Sequence, residues 1–244
     1  MNTKHVTLFR PATLGGAVAL FLTSLSLATP IRAAIPPAER NALIDLYNST
    51  EGPLWEHRSG WGGAPGTECG WERVTCDATG NTVERLDLDG NRMRGPVPPS
   101  FVNLTGLLPG ELDLRWNALA TGSAAVDTFL DSKHVGGNWK ATQTIPPTGF
   151  AAGAPTAGSV PFTWVPVSYQ ADPGLYKILW GTTNGGPYPS FMLTSSKADN
   201  AKIITGLTPG TTYYFVIETV TLAHANNPDF VVSLLAPQVS VTTT

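Results

Sequence analysis

The stretch from Val83 to Leu119 decides the reading of this chain, because one pattern occurs in it twice. The first copy is Leu86, Leu88, Asn91, Met93; the second is Leu112, Leu114, Asn117, Leu119, a shift of 26 residues throughout. Between the copies lie Gly95-Pro96-Val97-Pro98, then Phe101, Leu104 and Leu107. Alternate leucines in a short strand point to one face. An Asn just past such a strand is placed to turn inward and satisfy backbone groups that curvature leaves unpaired. A period in the twenties implies stacked turns of chain, each burying its apolar face on the next.

The rest of the chain sets limits on that core. Its 244 residues allow two modest domains. Charged residues are 14%, below the roughly 25% of an average soluble protein, while 25 Gly and 21 Pro imply many turns and short strands. No basic patch is present, so nucleic acid is not an expected partner. Residues 1–33 have the layout of a secretory signal peptide: Lys4 and Arg10, an apolar run from about Leu14 to Leu27, then Ala33 and Ala34. That run is short and interrupted for a membrane span, although an uncleaved anchor is the competing reading. Removing 1–33 leaves 12 Lys/Arg against 18 Asp/Glu, a net charge of −6. The expected product is exported (secreted, cell-surface or periplasmic), mildly acidic and monomeric, with no membrane span after cleavage.

Residues 34–82 read as a cap. Pro36 and Pro37 suit the first turn of a helix that ends near Asn48 to Gly52, with Leu43, Ile44, Leu46 and Tyr47 as its stripe. Trp55, Trp61 and Cys69-Gly-Trp71-Glu-Arg-Val-Thr-Cys76 follow. Two Cys in an exported chain point to a disulfide, Cys69–Cys76. The alternatives are a metal pair, for which His57 offers too few ligands, and a redox pair, which is normally CxxC. Such a cap covers the leucines and the unpaired strand edge that an open stack exposes. After Leu119, Ala125 to His134 reads as a degenerate closing turn with a short helix.

These motifs together resemble the leucine-rich repeat (LRR) of plant and bacterial proteins, LxLxxNxLxGxIPxxLxxLxxL, with its N-terminal cap. The sequence departs from that pattern at Arg73, where the family usually has Gly. The resemblance implies a short capped solenoid over 34–143, with 83–143 as repeats and closing segment. Asn91 and Asn117 are then the structural asparagines.

Outward positions on the two repeat strands are Arg85, Asp87 and Asp89, then Glu111, Asp113 and Arg115. They form a candidate mixed-charge face for a protein or carbohydrate ligand; the plainer reading is an ordinary solvated strand face. Asp87-x-Asp89-x-Asn91 copies the start of a calcium loop, but Arg92 and Pro98 stand where that loop needs Gly and Glu. No metal and no cofactor are expected.

From about Thr144 the text changes to short alternating runs rich in Thr, Val, Gly and Pro, the pattern of a β-sandwich. Strands are expected around Phe150 and over 159–166, 174–181, 190–194, 201–207, the run from Tyr213, and 233–242. Leu207-Thr-Pro-Gly-Thr-Thr-Tyr213-Tyr-Phe215-Val-Ile217 resembles the fibronectin type III (FN3) motif LxPGTxYxFxV. That likeness covers 144–244 and implies that Tyr213 is a tyrosine corner and Trp164 the core Trp. The loop at 222–230 carries His224, Asn226, Asn227 and Asp229, a candidate site for a cation or sugar, or simply a polar turn.

The fold class expected is therefore mainly β with a little α, a two-repeat capped solenoid followed by an FN3-like sandwich. No GxSxG, HExxH, P-loop or GxGxxG occurs, so no enzyme is expected. Acidic residues suffice for a two-carboxylate glycosidase, but neither module ordinarily supplies the pocket. The expected role is an interaction or adhesion module; the alternatives are a structural spacer and an inhibitor of secreted glycan-degrading enzymes.

Overall fold

Prolines 36 and 37 open the helix α1, Pro37–Ser49, and Thr50 ends it by returning its N–H to the Leu46 carbonyl. The computed structural model describes residues 34–244; the leader expected at 1–33 lies outside them. Leu43 and Leu46 turn inward from α1, and Glu39 is buried beside them. The Glu39 carboxylate accepts from Thr82 Oγ1 at 2.6 Å and Val83 N at 2.8 Å, which ties the helix to the first strand pair. Trp55, Trp61 and Trp71 pack with Tyr47 in an aromatic cluster, with centroids 4.9–6.2 Å apart. Cys69 and Cys76 are disulfide-bonded, as the sequence led us to expect.

Strand β1 (Val74–Cys76) pairs antiparallel with β2 (Val83–Asp87), and β2 pairs parallel with β4 (Leu112–Asp113). A second parallel pair joins β3 (Arg94–Pro96) to β5 (Ala118–Ala120). The two sequence copies thus lie side by side, with Leu86, Leu88, Leu112 and Leu114 fully buried. The uniform shift of 26 needs correction. β2 pairs with β4 at 26 residues, Leu86 opposite Leu112, but β3 pairs with β5 at 24, Arg94 opposite Ala118. The first copy spends two more residues after its Asn, and Arg92 lies there in the left-handed region at φ 58°. Helix α2 (Ala124–Lys133), capped by Ser123, closes this half, and His134 adds a parallel bridge to Leu112.

Buried amides hold the copies together. Asn117 Oδ1 accepts from Asn91 N and Met93 N, both at 3.0 Å. Its Nδ2 donates to the carbonyls of Leu88, Leu114 and Arg115 at 2.8–3.2 Å. Asn91 does the same toward the cap, accepting from His57 N at 2.6 Å and donating to His57 O at 3.1 Å.

The remaining strands form two facing sheets. One is β6 (Thr148–Ala152), β7 (Ser159–Val165) and β10 (Ala201–Thr205), with β7 central. The other contains β8 (Gly174–Gly181), β9 (Ser190–Leu193) and β11 (Thr212–Thr221). The last strand, expected as one run over 233–242, is broken in two: β12 (Val231–Val232) and β13 (Val239–Thr242) each pair with a different part of β11. Phe162, Trp164, Tyr176, Ile178, Phe215 and Ile217 fill the space between the sheets. Tyr213 Oη accepts from Thr208 N at 3.0 Å, closing the loop before β11.

This half and the first have separate cores within one compact unit. Replacing Asn117 with Ala leaves buried groups of Leu88, Asn91 and Met93 without partners. Urea denaturation is expected to show a loss of about 3 kcal/mol, and a loss below about 1 kcal/mol would mean that the amide ladder is dispensable.

Candidate functional site: the charged strand face and its neighbours

Side chains alternate across β2 and β4, so burial of the leucines leaves their neighbours outward. The structure brings all six expected face residues together and adds a seventh, Arg73. That residue lies at φ 65°, a conformation that suits Gly and costs other residues roughly 1–2 kcal/mol. Its guanidinium offsets the strain by donating to Asp87 O at 3.0 Å and to Asp89 Oδ1 at 2.8 Å. Arg115 clamps Asp113 through Nε and Nη2 at 2.6–3.1 Å, and its guanidinium lies 4.6 Å from the Trp116 ring centre. Arg85 is set more loosely, 3.5 Å from Asp87 and 3.6 Å from Glu111. A shallow cleft of about 240 Å³ runs between these groups.

Like charges crowd here despite the arginines. Oxygens of Asp87, Asp89 and Asp113 lie within 4.8 Å of one another. Burial, followed by the Asp113 charge, pushes the Asp89 carboxyl above its ordinary range, while Arg73 opposes. Counting four carboxylates against Arg73, Arg85 and Arg115, the face carries a formal charge of −1. Three such carboxylates could in principle hold a cation. Two of them already have a guanidinium within 2.8 Å, a poor offer to Ca²⁺, which takes roughly six to eight oxygens.

Beneath Asp113 lies His134, with only 1% of its side chain exposed. Its Nε2 accepts from Leu114 N at 3.1 Å, so the ring is neutral at that nitrogen. Burial pushes the His134 pKa below 6.5, although Asp113, 4.0 Å away, opposes the shift.

The loop at 222–230 lies against the first half of the chain. Asn227 is fully buried and donates through Nδ2 to Trp116 O at 2.9 Å. Asp229 pairs with Arg92 at 2.8 Å. The Asn226 carbonyl approaches Gly90 so closely that a Cβ there would stand 2.6 Å from it. His224 faces Asp172 at 3.4 Å and lies edge-on to Trp116. Arg94 Nε donates to Ser233 O at 3.0 Å, and the Thr144 and Thr221 hydroxyls meet at 2.7 Å. Asn227 and Asp229 of this loop are thus spent on the junction, whereas His224 turns to Asp172 and the Asn226 side chain is exposed.

Sequence reasoning missed Gln143. Its Oε1 accepts from Leu119 N at 3.0 Å, and its Nε2 donates to Leu114 O at 2.7 Å and Trp139 O at 3.2 Å. It is a third rung of the amide ladder. The signal was present, since 143 is 26 past Asn117 just as Asn117 is 26 past Asn91.

No protein-family profile matches the chain. A 93-residue segment is 33% identical to Polygalacturonase inhibitor 1 of Oryza sativa subsp. japonica, covering 37% of this chain and 27% of that protein. The chain therefore spans about a quarter of the length of that curated relative. Among solved structures, chicken CNTN1 FN1–FN3 domains (14% identity, 42% of this chain, 34% of that one) have a TM-score of 0.33. A two-domain fibronectin type III segment of chicken tenascin (17% identity, 42% and 52%) has the same score. A likeness at that score adds nothing to the geometry above.

Because folding favours neutral His134, an unfolded chain takes up a proton there sooner than the folded one. His134 therefore lowers stability as pH falls below about 6.5, until the folded value is reached. Between about pH 7.5 and 5, His134→Gln should flatten the fall in unfolding free energy relative to wild type. Equal slopes in the two proteins would show that His134 carries no such linkage.

Proposed function

We propose that this chain is an exported, non-catalytic recognition module whose charged strand face binds a protein or carbohydrate ligand. In this reading the first half is a short, disulfide-capped LRR and the second an FN3-type sandwich. The observation that carries the proposal is the crowding of Asp87, Asp89 and Asp113 on a rigid ladder. Like charges held together at a cost to stability are common at functional sites, and a basic group on a ligand relieves them. That favours a protein partner with Lys or Arg at its contact surface.

Export is supported by the disulfide, which belongs to oxidising compartments. No described helix is long and apolar enough to cross a membrane. The name of the rice relative supports a secreted glycan-degrading enzyme as partner, and thus an inhibitory role. A second reading, a rigid spacer, is favoured by the junction, where Asn227, Asp229 and Arg94 fasten the two halves. It predicts no ligand and a single fixed angle between the halves in solution scattering.

A pull-down against secreted polysaccharide hydrolases, run beside a glycan array, tests the first reading. Saturable binding should weaken about tenfold or more on Asp87→Arg or Asp113→Arg. Binding indifferent to both reversals would remove the face from consideration, and silence in both assays would leave the spacer reading ahead.

A further inference from the structure

Away from the strand face, beside the first residues of β8, lies a cleft of about 290 Å³ lined by Gln170, Asp172, Leu175, Ser196, Lys197 and Leu222. Its size is close to the roughly 300 Å³ at which small-molecule sites begin. Lys197 is only 3% exposed. Among the described residues its ammonium has no hydrogen-bond acceptor and no carboxylate oxygen within 4.0 Å. The centre of the Tyr169 ring lies 5.4 Å from Nζ. The stem is buried while Nζ opens to the cleft rather than to a protein acceptor, and burial pushes its pKa down.

The position is built rather than incidental. Gly174 leaves room for the lysine stem, since a Cβ there would stand 2.5 Å from Lys197 Cε and 2.4 Å from Val220 O. The Lys197 carbonyl is fixed by the buried Tyr176 hydroxyl at 2.8 Å. On the same lining, Asp172 Oδ2 accepts from Tyr169 Oη at 2.7 Å and faces His224 at 3.4 Å, whereas its Oδ1 has no partner among the described residues.

We propose that this cleft binds a neutral polyhydroxylated ligand about one pyranose ring in size, held between Lys197 Nζ and the Asp172 carboxylate. One cation and one anion leave the lining without net charge, so a free anion meets Asp172 and a free cation meets Lys197. A sugar hydroxyl answers both groups, accepting from the ammonium and donating to the carboxylate. Leu175 and Leu222 supply an apolar wall for the C–H face of the ring. This site is independent of the strand face, so either can fail without the other.

Saturation-transfer NMR on the full chain tests it, with methyl α-D-glucopyranoside, methyl β-D-galactopyranoside and inorganic phosphate as separate arms. A saturable signal is expected from at least one glycoside. It should weaken about tenfold or more in Lys197→Met and Asp172→Asn and persist in Arg115→Glu. Should Lys197→Met fail to fold, Leu222→Trp, at a half-exposed wall position, must still abolish the signal. No saturation by either glycoside, a signal that survives Lys197→Met or Leu222→Trp, or phosphate binding in place of the glycosides would each overturn the proposal.

Discussion

The first half of this protein depends on buried amides that bond sideways from one turn of chain to the next. An amide placed among leucines is destabilising unless each of its donors and acceptors is used. Asn117 uses its oxygen twice and its nitrogen three times, all on main-chain groups. Those bonds let the chain turn tightly after each strand without leaving buried N–H or C=O groups unpaired. With the turns fixed, β2 and β4 fall into parallel register, the leucines face inward, and the charged residues between them must face out. The strand face is thus a consequence of the amide ladder.

Few stacked repeats survive alone, because each end exposes leucines and a strand edge. Here both ends are covered. On one side Glu39, the Trp cluster and the disulfide seal the edge that β1 and β2 begin. On the other, Gln143 supplies a last rung, and α2 and His134 cover Leu112. The sandwich packs beside both copies, meeting Gly90, Arg92 and Arg94 of the first and Trp116 of the second, and so fixes the two halves to each other.

Charge is distributed by the same constraints. Arg73 tolerates a left-handed backbone because its guanidinium reaches two aspartates that the ladder sets beside it. Arg115 is held both by Asp113 and by the Trp116 ring. The result is a preorganised ionic surface, which spares a ligand the entropy of ordering long side chains. Lys197 presents the opposite case: among the described residues its ammonium has no acceptor, and Asp172 on the same cleft lining keeps one oxygen without a partner.

The sequence alone determined what local spacing controls. Alternating leucines placed the inner and outer residues of β2 and β4, the helix signals placed α1, and the Cys pair gave the disulfide. Turn chemistry and period-two runs located the strands of the sandwich, and the run from Tyr213 anticipated a hydroxyl that closes the loop before it. Only the tertiary structure decided contacts between residues far apart in the chain. The 24-residue register of β3 and β5 follows from a left-handed Arg92 that no local rule demanded. Gln143 joined the ladder through a spacing visible in the sequence but carried by a different residue type. Asn227 and Asp229 read as a polar turn or ligand loop because nothing near them names their partners, which lie more than a hundred residues earlier at Trp116 and Arg92. The physical reason is general. Periodicity reports which face of an element is buried, whereas the identity of what buries it depends on how separate elements meet.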